Sequence, residues 1–156
     1  RADIGVTYLP TGREFETWEL IRDEFIMLFP PDFRLTGNQP SWDDLITYPL
    51  IMAPEGDGCD AMVYAHCAKH GVNLQATYQI RSDATIVNMV AKGLGASICP
   101  RLAAEPIPFG VQIYSLPIPL DRIICAVTLT DALLTPAAFA FLDLLRSTRQ
   151  FKLQPH

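Results

Sequence analysis

No stretch of this chain gathers positive charge: 12 lysines and arginines are scattered against 17 acidic residues, for a net charge of −5 over 156 residues. Binding a phosphate backbone draws on a basic stripe whose contacts release condensed counterions. Without one, the chain by itself is not expected to bind nucleic acid. No apolar run reaches the length of a membrane span, and no charged-then-apolar leader stands at the start, so no membrane partner is expected. The four cysteines, Cys59, Cys67, Cys99 and Cys125, form no CxxC pair. A chain that is 49% hydrophobic needs no disulfide staples, so reduced core cysteines and a cytoplasmic setting are expected. Catalytic patterns are missing as well. Ser97 lacks a GxSxG elbow and no histidine is tied by spacing to a nucleophile and an acid, so no enzyme is expected. His66 and His70 stand four apart around Cys67, a spacing that can bind zinc. No further ligand is placed to complete that set, and neither metal nor cofactor is expected.

What the chain has is an alternation of apolar strands and helices. It starts at Arg1 rather than Met, and residues 2–7 read at once as a strand, which points to a fragment or processed product. A Pro/Gly loop at 9–13 precedes a strand at 15–21, which Arg22-Asp23-Glu24 is expected to break. The continuous apolar run 25–29 stops at Pro30-Pro31 and reads as a strand buried on both faces. After a polar loop, Ser41 can cap a short helix bearing Trp42, Leu45 and Ile46, with Asp44 three residues on. A buried strand at 49–53, a turn at 54–58 and a helix at about 60–70 follow, the helix ending with Lys69, His70 and the stop Gly71. A strand at 75–80 runs into Arg81-Ser82-Asp83, whose short polar side chains can cap the next helix.

Residues 86–100, Ile-Val-Asn-Met-Val-Ala-Lys-Gly-Leu-Gly-Ala-Ser-Ile-Cys-Pro, are the most informative stretch. Ile86, Val87, Met89, Val90 and Leu94 recur at helical spacing, and Gly93 suits a left-handed C′ position. Gly95 is read as a tight turn into the strand 96–99, which Pro100 ends. Residues 101–109 are proline-rich without long periodicity, and strands follow at 111–116 and 123–129. Thr135-Pro136 starts the last helix, with a wide apolar face of Phe139, Leu142, Leu144 and Leu145. This order predicts an α/β class with mainly parallel sheets.

The segment Met-Val-Ala-Lys-Gly-Leu-Gly-Ala-Ser-Ile-Cys-Pro resembles the signature of the effector-binding domain of LysR-type transcriptional regulators. Ala2-Asp3-Ile4-Gly5-Val6 resembles that family's central strand, and residues 22–35 its strand into the first crossover, although Phe33-Arg34 stands where His-Pro is usual. Trp42-Asp43-Asp44-Leu45 with Pro49-Leu50-Ile51, residues 122–129, and Thr135-Pro136-Ala137-Ala138-Phe139 resemble further pieces in the family's order. The resemblance implies a two-lobed type II periplasmic-binding-protein-like fold. Lobe I would comprise 1–30 and 123–156, lobe II 31–122, with lobe I incomplete because its opening β-α-β-α stretch is lacking. It also implies a small-molecule effector held in the interlobe cleft. Homo-oligomerisation would run through the parent protein and be weakened here, and DNA would be bound only through a helix-turn-helix domain outside this chain. A solute-binding protein of a transport system is the alternative on the same fold.

In such sheets ligands lie beyond the carboxyl ends of strands, where helices begin. The candidate contacts are therefore Thr7 and Tyr8 after the first strand and Glu55, Gly56 and Asp57 after the strand at 49–53. Ser82, Asp83, Ala84 and Thr85 open the signature helix, and Pro100 follows its strand. Carboxylates at these ends leave the effector's charge open.

Overall fold

The computed structural model describes residues 2–56 and 58–147. Its longest element is a 15-residue strand, β2 (Phe15–Phe29), preceded by β1 (Gly5–Tyr8) and followed by α1 (Trp42–Ile46), β3 (Leu50–Met52), α2 (Asp60–Lys69) and β4 (Ala76–Gln79). Next come α3 (Asp83–Ala91), β5 (Ser97–Pro100), α4 (Arg101–Ala104), β6 (Gln112–Ser115), β7 (Asp121–Leu129) and α5 (Pro136–Ser147). The chain divides into two units, Arg1–Asp23 with Arg122–His156, and Glu24–Asp121. Residues 24–30, expected with the first unit, fall in the second because 25–29 form ladders there with β5 and β6.

In the second unit the sheet is covered on both faces, and the pleat of each strand explains how. Phe25, Met27 and Phe29 point into one core with Leu50, Met52 and Ile98, under Leu45 of α1 and Val63 and Cys67 of α2. Ile26 and Leu28 point the other way with Ile51 and Cys99, under Ile86, Val87 and Val90 of α3 and Ala104 of α4. Successive side chains in a strand face opposite sides, so an unbroken apolar run is what a doubly covered strand needs. The core is finished by aromatics: Phe29 stacks on Phe33 with ring centroids 4.0 Å apart, and Tyr48 and Tyr114 meet both rings edge-on.

Two expectations are corrected. The strand is not broken at 22–24, because Asp23 is buried in an ion pair and takes its place in the ladder's strand. Nor is the pairing mainly parallel: β1 with β7, β2 with β5 and β2 with β6 are antiparallel, and β3 with β4 is parallel. The reason is topological. β2 carries the chain from one unit to the other and runs against the strands it meets, so only strands joined through α2 and α3 keep a common direction. The segment 101–104, too short to show periodicity, forms α4.

Local signals were reliable. Ser41 and Asp44 form a reciprocal capping box, the Ser41 N–H donating to Asp44 Oδ2 (2.8 Å) and the Asp44 N–H to Ser41 Oγ (3.2 Å). At the start of α5 the Ala138 N–H donates to Thr135 Oγ1 (3.2 Å). The apolar face of α5 is less covered than expected: Ala138 and Leu142 are buried, whereas Phe139, Phe141 and Leu144 remain exposed.

Gly93 ends α3 at φ +77°, as its left-handed position requires. Gly95 serves a different purpose from the turn expected of it. Ala96 N–H donates to the Pro49 carbonyl (3.0 Å) and Ile51 N–H to the Ala96 carbonyl (2.9 Å), which joins β3 to β5 in parallel through Leu50 and Ala96. A Cβ on Gly95 would fall on the Pro49 carbonyl and 3.2 Å from Ile51 Cγ1. Gly95→Ala should therefore cost on the order of 1–3 kcal/mol of stability, whereas Gly37→Ala, with open space around it, should change stability by less than about 0.5 kcal/mol; thermal melts of the two variants check this.

Candidate functional site

Three strands of the second unit share a direction. β3 and β4 run parallel with Met52 opposite Gln79, the Ile80 N–H donates to the Met52 carbonyl (2.9 Å), and β5 continues the parallel set from Ala96. Their carboxyl ends thus lie on one edge, and from that edge the chain passes into the starts of α2, α3 and α4. Glu55, Gly56, Ser82, Asp83, Ala84, Thr85 and Pro100 all fall there, as strand order and direction require. Asp57 lies outside the described residues.

The turn before α3 has the plainest geometry. Ser82 is the N-cap, in extended conformation, and its Oγ accepts from the Thr85 N–H (3.3 Å), while the Ile86 N–H donates to the Ser82 carbonyl (3.0 Å). The Asp83 and Ala84 amides precede the first intrahelical bond and so are not used by the helix. Ser82, Asp83, Ala84 and Thr85 are exposed. The Thr85 hydroxyl has no partner among the described residues, which leaves a donor and acceptor open to a ligand. Pro100 is placed differently. It is buried opposite Phe25 and caps α4, so its contribution is to position the edge.

The turn after β3 is fixed by a residue whose role was not read from the sequence. Asp60 is buried at the first position of α2, and its Oδ2 accepts from the Ala53 N–H (2.8 Å). An acidic residue opening a helix was visible, but its partner lies upstream across the turn. Burial, then the charges of Asp60 and Glu55, push the Tyr64 phenol above its ordinary pKa and keep it a hydroxyl. Carboxylates thus gather at the start of α2. Beneath them Ser97, fully buried, donates to the Ile51 carbonyl (2.6 Å) and ties β5 to β3.

The zinc-like spacing on α2 is otherwise engaged. His66 Nε2 lies 2.9 Å from the Ile118 carbonyl oxygen, its ring meets that of His70 at 4.8 Å, and burial pushes the Cys67 thiol up to about 11. A thiol at that value offers almost no thiolate near neutral pH. No group of three metal-ligating side chains occurs among the described residues.

In the first unit, β1 pairs with β7 so that Thr7 faces Cys125 and Tyr8 faces Ile124. Tyr8 lies under the guanidinium of Arg122, 5.9 Å from ring centroid to Cζ. Arg122 Nε in turn donates to Asp23 Oδ2 (2.9 Å), with side-chain exposures of 14% and 1%. Sequence reading missed this pair, whose members are 99 residues apart. It holds Tyr8 in place and neutralises Asp23.

Two tests follow from this geometry. Arg122→Met removes the guanidinium paired with the buried Asp23 carboxylate and should cost roughly 3–5 kcal/mol. Asp23→Asn added to it should restore much of the loss in urea unfolding. At the α3 turn, Thr85→Val keeps shape and removes only the hydroxyl. It should weaken the binding of any ligand held at this turn by about 0.5–1.5 kcal/mol with unchanged melting. Ser82→Ala should also lose about 1 kcal/mol of stability with its cap. Calorimetry beside thermal melts separates the two, and unchanged affinity in both variants would assign this turn to capping alone.

The chain matches the family described as LysR substrate binding domain over residues 1–150. LrrA, a probable HTH-type transcriptional regulator of Synechococcus elongatus, is 47% identical over 148 residues, 95% of this chain and 50% of that protein. YbhD, an uncharacterized HTH-type transcriptional regulator of Escherichia coli, is 27% identical over 139 residues, 86% of this chain and 44% of that protein. This chain therefore spans about half the length of these curated relatives. The regulatory domain of CcmR from Synechocystis, solved in complex with 2-PG, superposes with a TM-score of 0.83 at 18% identity, covering 96% of this chain and 74% of that one. The effector-binding domain of QuiR in complex with shikimate gives 0.79 at 20% identity, covering 93% and 70%. The fold is thus the periplasmic-binding-protein-like α/β fold of these effector-binding domains. With that fold and a family match over nearly its whole length, this chain belongs to the LysR substrate-binding-domain family.

Proposed function

We propose that this chain senses a small polar metabolite on behalf of a bacterial LysR-type transcriptional regulator, and signals to a DNA-binding helix-turn-helix domain elsewhere on a longer protein. The observation that carries the reading is the common edge of β3, β4 and β5, where the exposed turn Ser82–Thr85 presents the Ala84 amide and a Thr85 hydroxyl with no partner among the described residues. The effector's acceptor groups would meet the Ala84 and Thr85 end of α3. Its donor groups would meet the carboxylates near the start of α2, among them Glu55. In the first unit, Thr7 and Tyr8 are proposed as ligand contacts in their own right, with Tyr8 held by Arg122.

A ligand moves such a protein only by binding one arrangement better than another, so sensing needs specific polar contacts and no chemistry. We take the domain to be non-catalytic and cofactor-free, and the longer protein to be a cytoplasmic homo-oligomer that reaches DNA through its other domain. Among the described residues no helix is long and apolar enough to cross a membrane. Membership in a family of regulators favours this reading over transport on the same fold.

A thermal-shift screen against a metabolite library tests the proposal. At least one small polar metabolite should raise the melting temperature in proportion to the logarithm of its concentration, by linkage, and Thr85→Val should reduce that shift. A library in which no such compound stabilises the folded chain would contradict the proposal.

A further inference from the structure

The second unit carries a cavity of about 360 Å³, within the roughly 300–1,000 Å³ range of small-ligand sites. It is bounded by α3 on one side and by the end of α4 with the residues after it on the other. Val87, Pro106, Ile107 and Pro108 make its wall apolar, together with two alanines. Asn88 and Glu105 are its two polar side chains, and Glu105 is its one ionisable group. Neither is idle. Asn88 Nδ2 donates to the Ala84 carbonyl (2.8 Å), which fixes the amide's orientation and leaves its Oδ1 without a partner among the described residues. Glu105 Oε2 accepts from the Ile107 N–H (3.3 Å), which pins the carboxylate and leaves Oε1 likewise unpartnered. The two prolines add no backbone N–H.

The open polar atoms of the side chains are therefore both acceptors, one of them charged, set in an apolar wall. An anion is repelled by Glu105. A neutral alcohol offers one hydrogen and no charge. An ammonium group supplies three hydrogens and the opposite charge, and charge-assisted bonds are the stronger kind. We propose that this cavity binds a small primary amine with a short apolar chain, its ammonium donating to Glu105 and Asn88 and its chain lying against Val87, Ile107 and the prolines. Ala84 borders both this cavity and the α3 turn, but the two open acceptors, Asn88 Oδ1 and Glu105 Oε1, are not among the proposed effector contacts.

Amide NMR titration of the whole chain with n-butylammonium tests it, with n-butanol and butyrate as matched probes. Butylammonium should give saturable shifts centred on residues 87–88 and 104–108, with the alcohol and the acid at least about tenfold weaker. Glu105→Gln keeps an acceptor for the Ile107 amide and should weaken butylammonium by about tenfold while melting as the parent does. Butanol binding as well as butylammonium, a variant that titrates like the parent, or no saturable shift at these residues would each overturn the proposal. Should the variant melt lower, the ranking of the three probes on the parent chain still decides.

Discussion

Residues 25–29 of β2 are the constraint from which the second unit is built outward. All five side chains are buried, and their alternation assigns Phe25, Met27 and Phe29 to one core and Ile26 and Leu28 to the other. A one-residue slip in the pairing of this strand would exchange the two cores. Its register against β5 and β6 is thus set by packing on both faces. Through β5 that register fixes β3 and β4 as well, because the Ser97 hydroxyl bond to Ile51 and the close approach at Gly95 lock β3 to β5. The edge proposed to hold the effector is a consequence of this order, since it is where the three parallel strands end.

The buried polar groups hold the scaffold of each unit. Asp60 pins the turn after β3, Ser97 joins two strands, and Asp23 pairs with Arg122 in the first unit. Each is buried, and a buried polar group is tolerable only when bonded. The residues proposed to meet a ligand, Glu55, Ser82, Asp83, Ala84 and Thr85, are exposed and locally fixed by turns and caps. A sensing domain requires that division, since groups that meet a ligand must be accessible while the scaffold beneath them stays rigid.

Much of this was legible because it is local. The capping box at Ser41, the N-cap at Ser82 and the left-handed Gly93 each depend on residues within one helical turn. The run 25–29 announced its double burial by being uninterrupted. What escaped depends on distant partners. Arg22-Asp23-Glu24 looked like a break because the arginine that neutralises Asp23 is 99 residues away. Gly95 looked like a turn because the carbonyl it must clear belongs to Pro49. The antiparallel pairing of β2 follows from its passage between units, which periodicity does not encode. Family resemblance supplied the arrangement of the pieces, and the structure supplied the reasons for individual residues.

The most direct test of the account is a map of amide chemical-shift changes as a stabilising metabolite from the screen is titrated into the whole chain. The largest changes are expected at residues 82–85, with further changes at 53–56. Changes confined to α5 or to the strands away from these ends, with the Ser82–Thr85 amides unmoved, would contradict it.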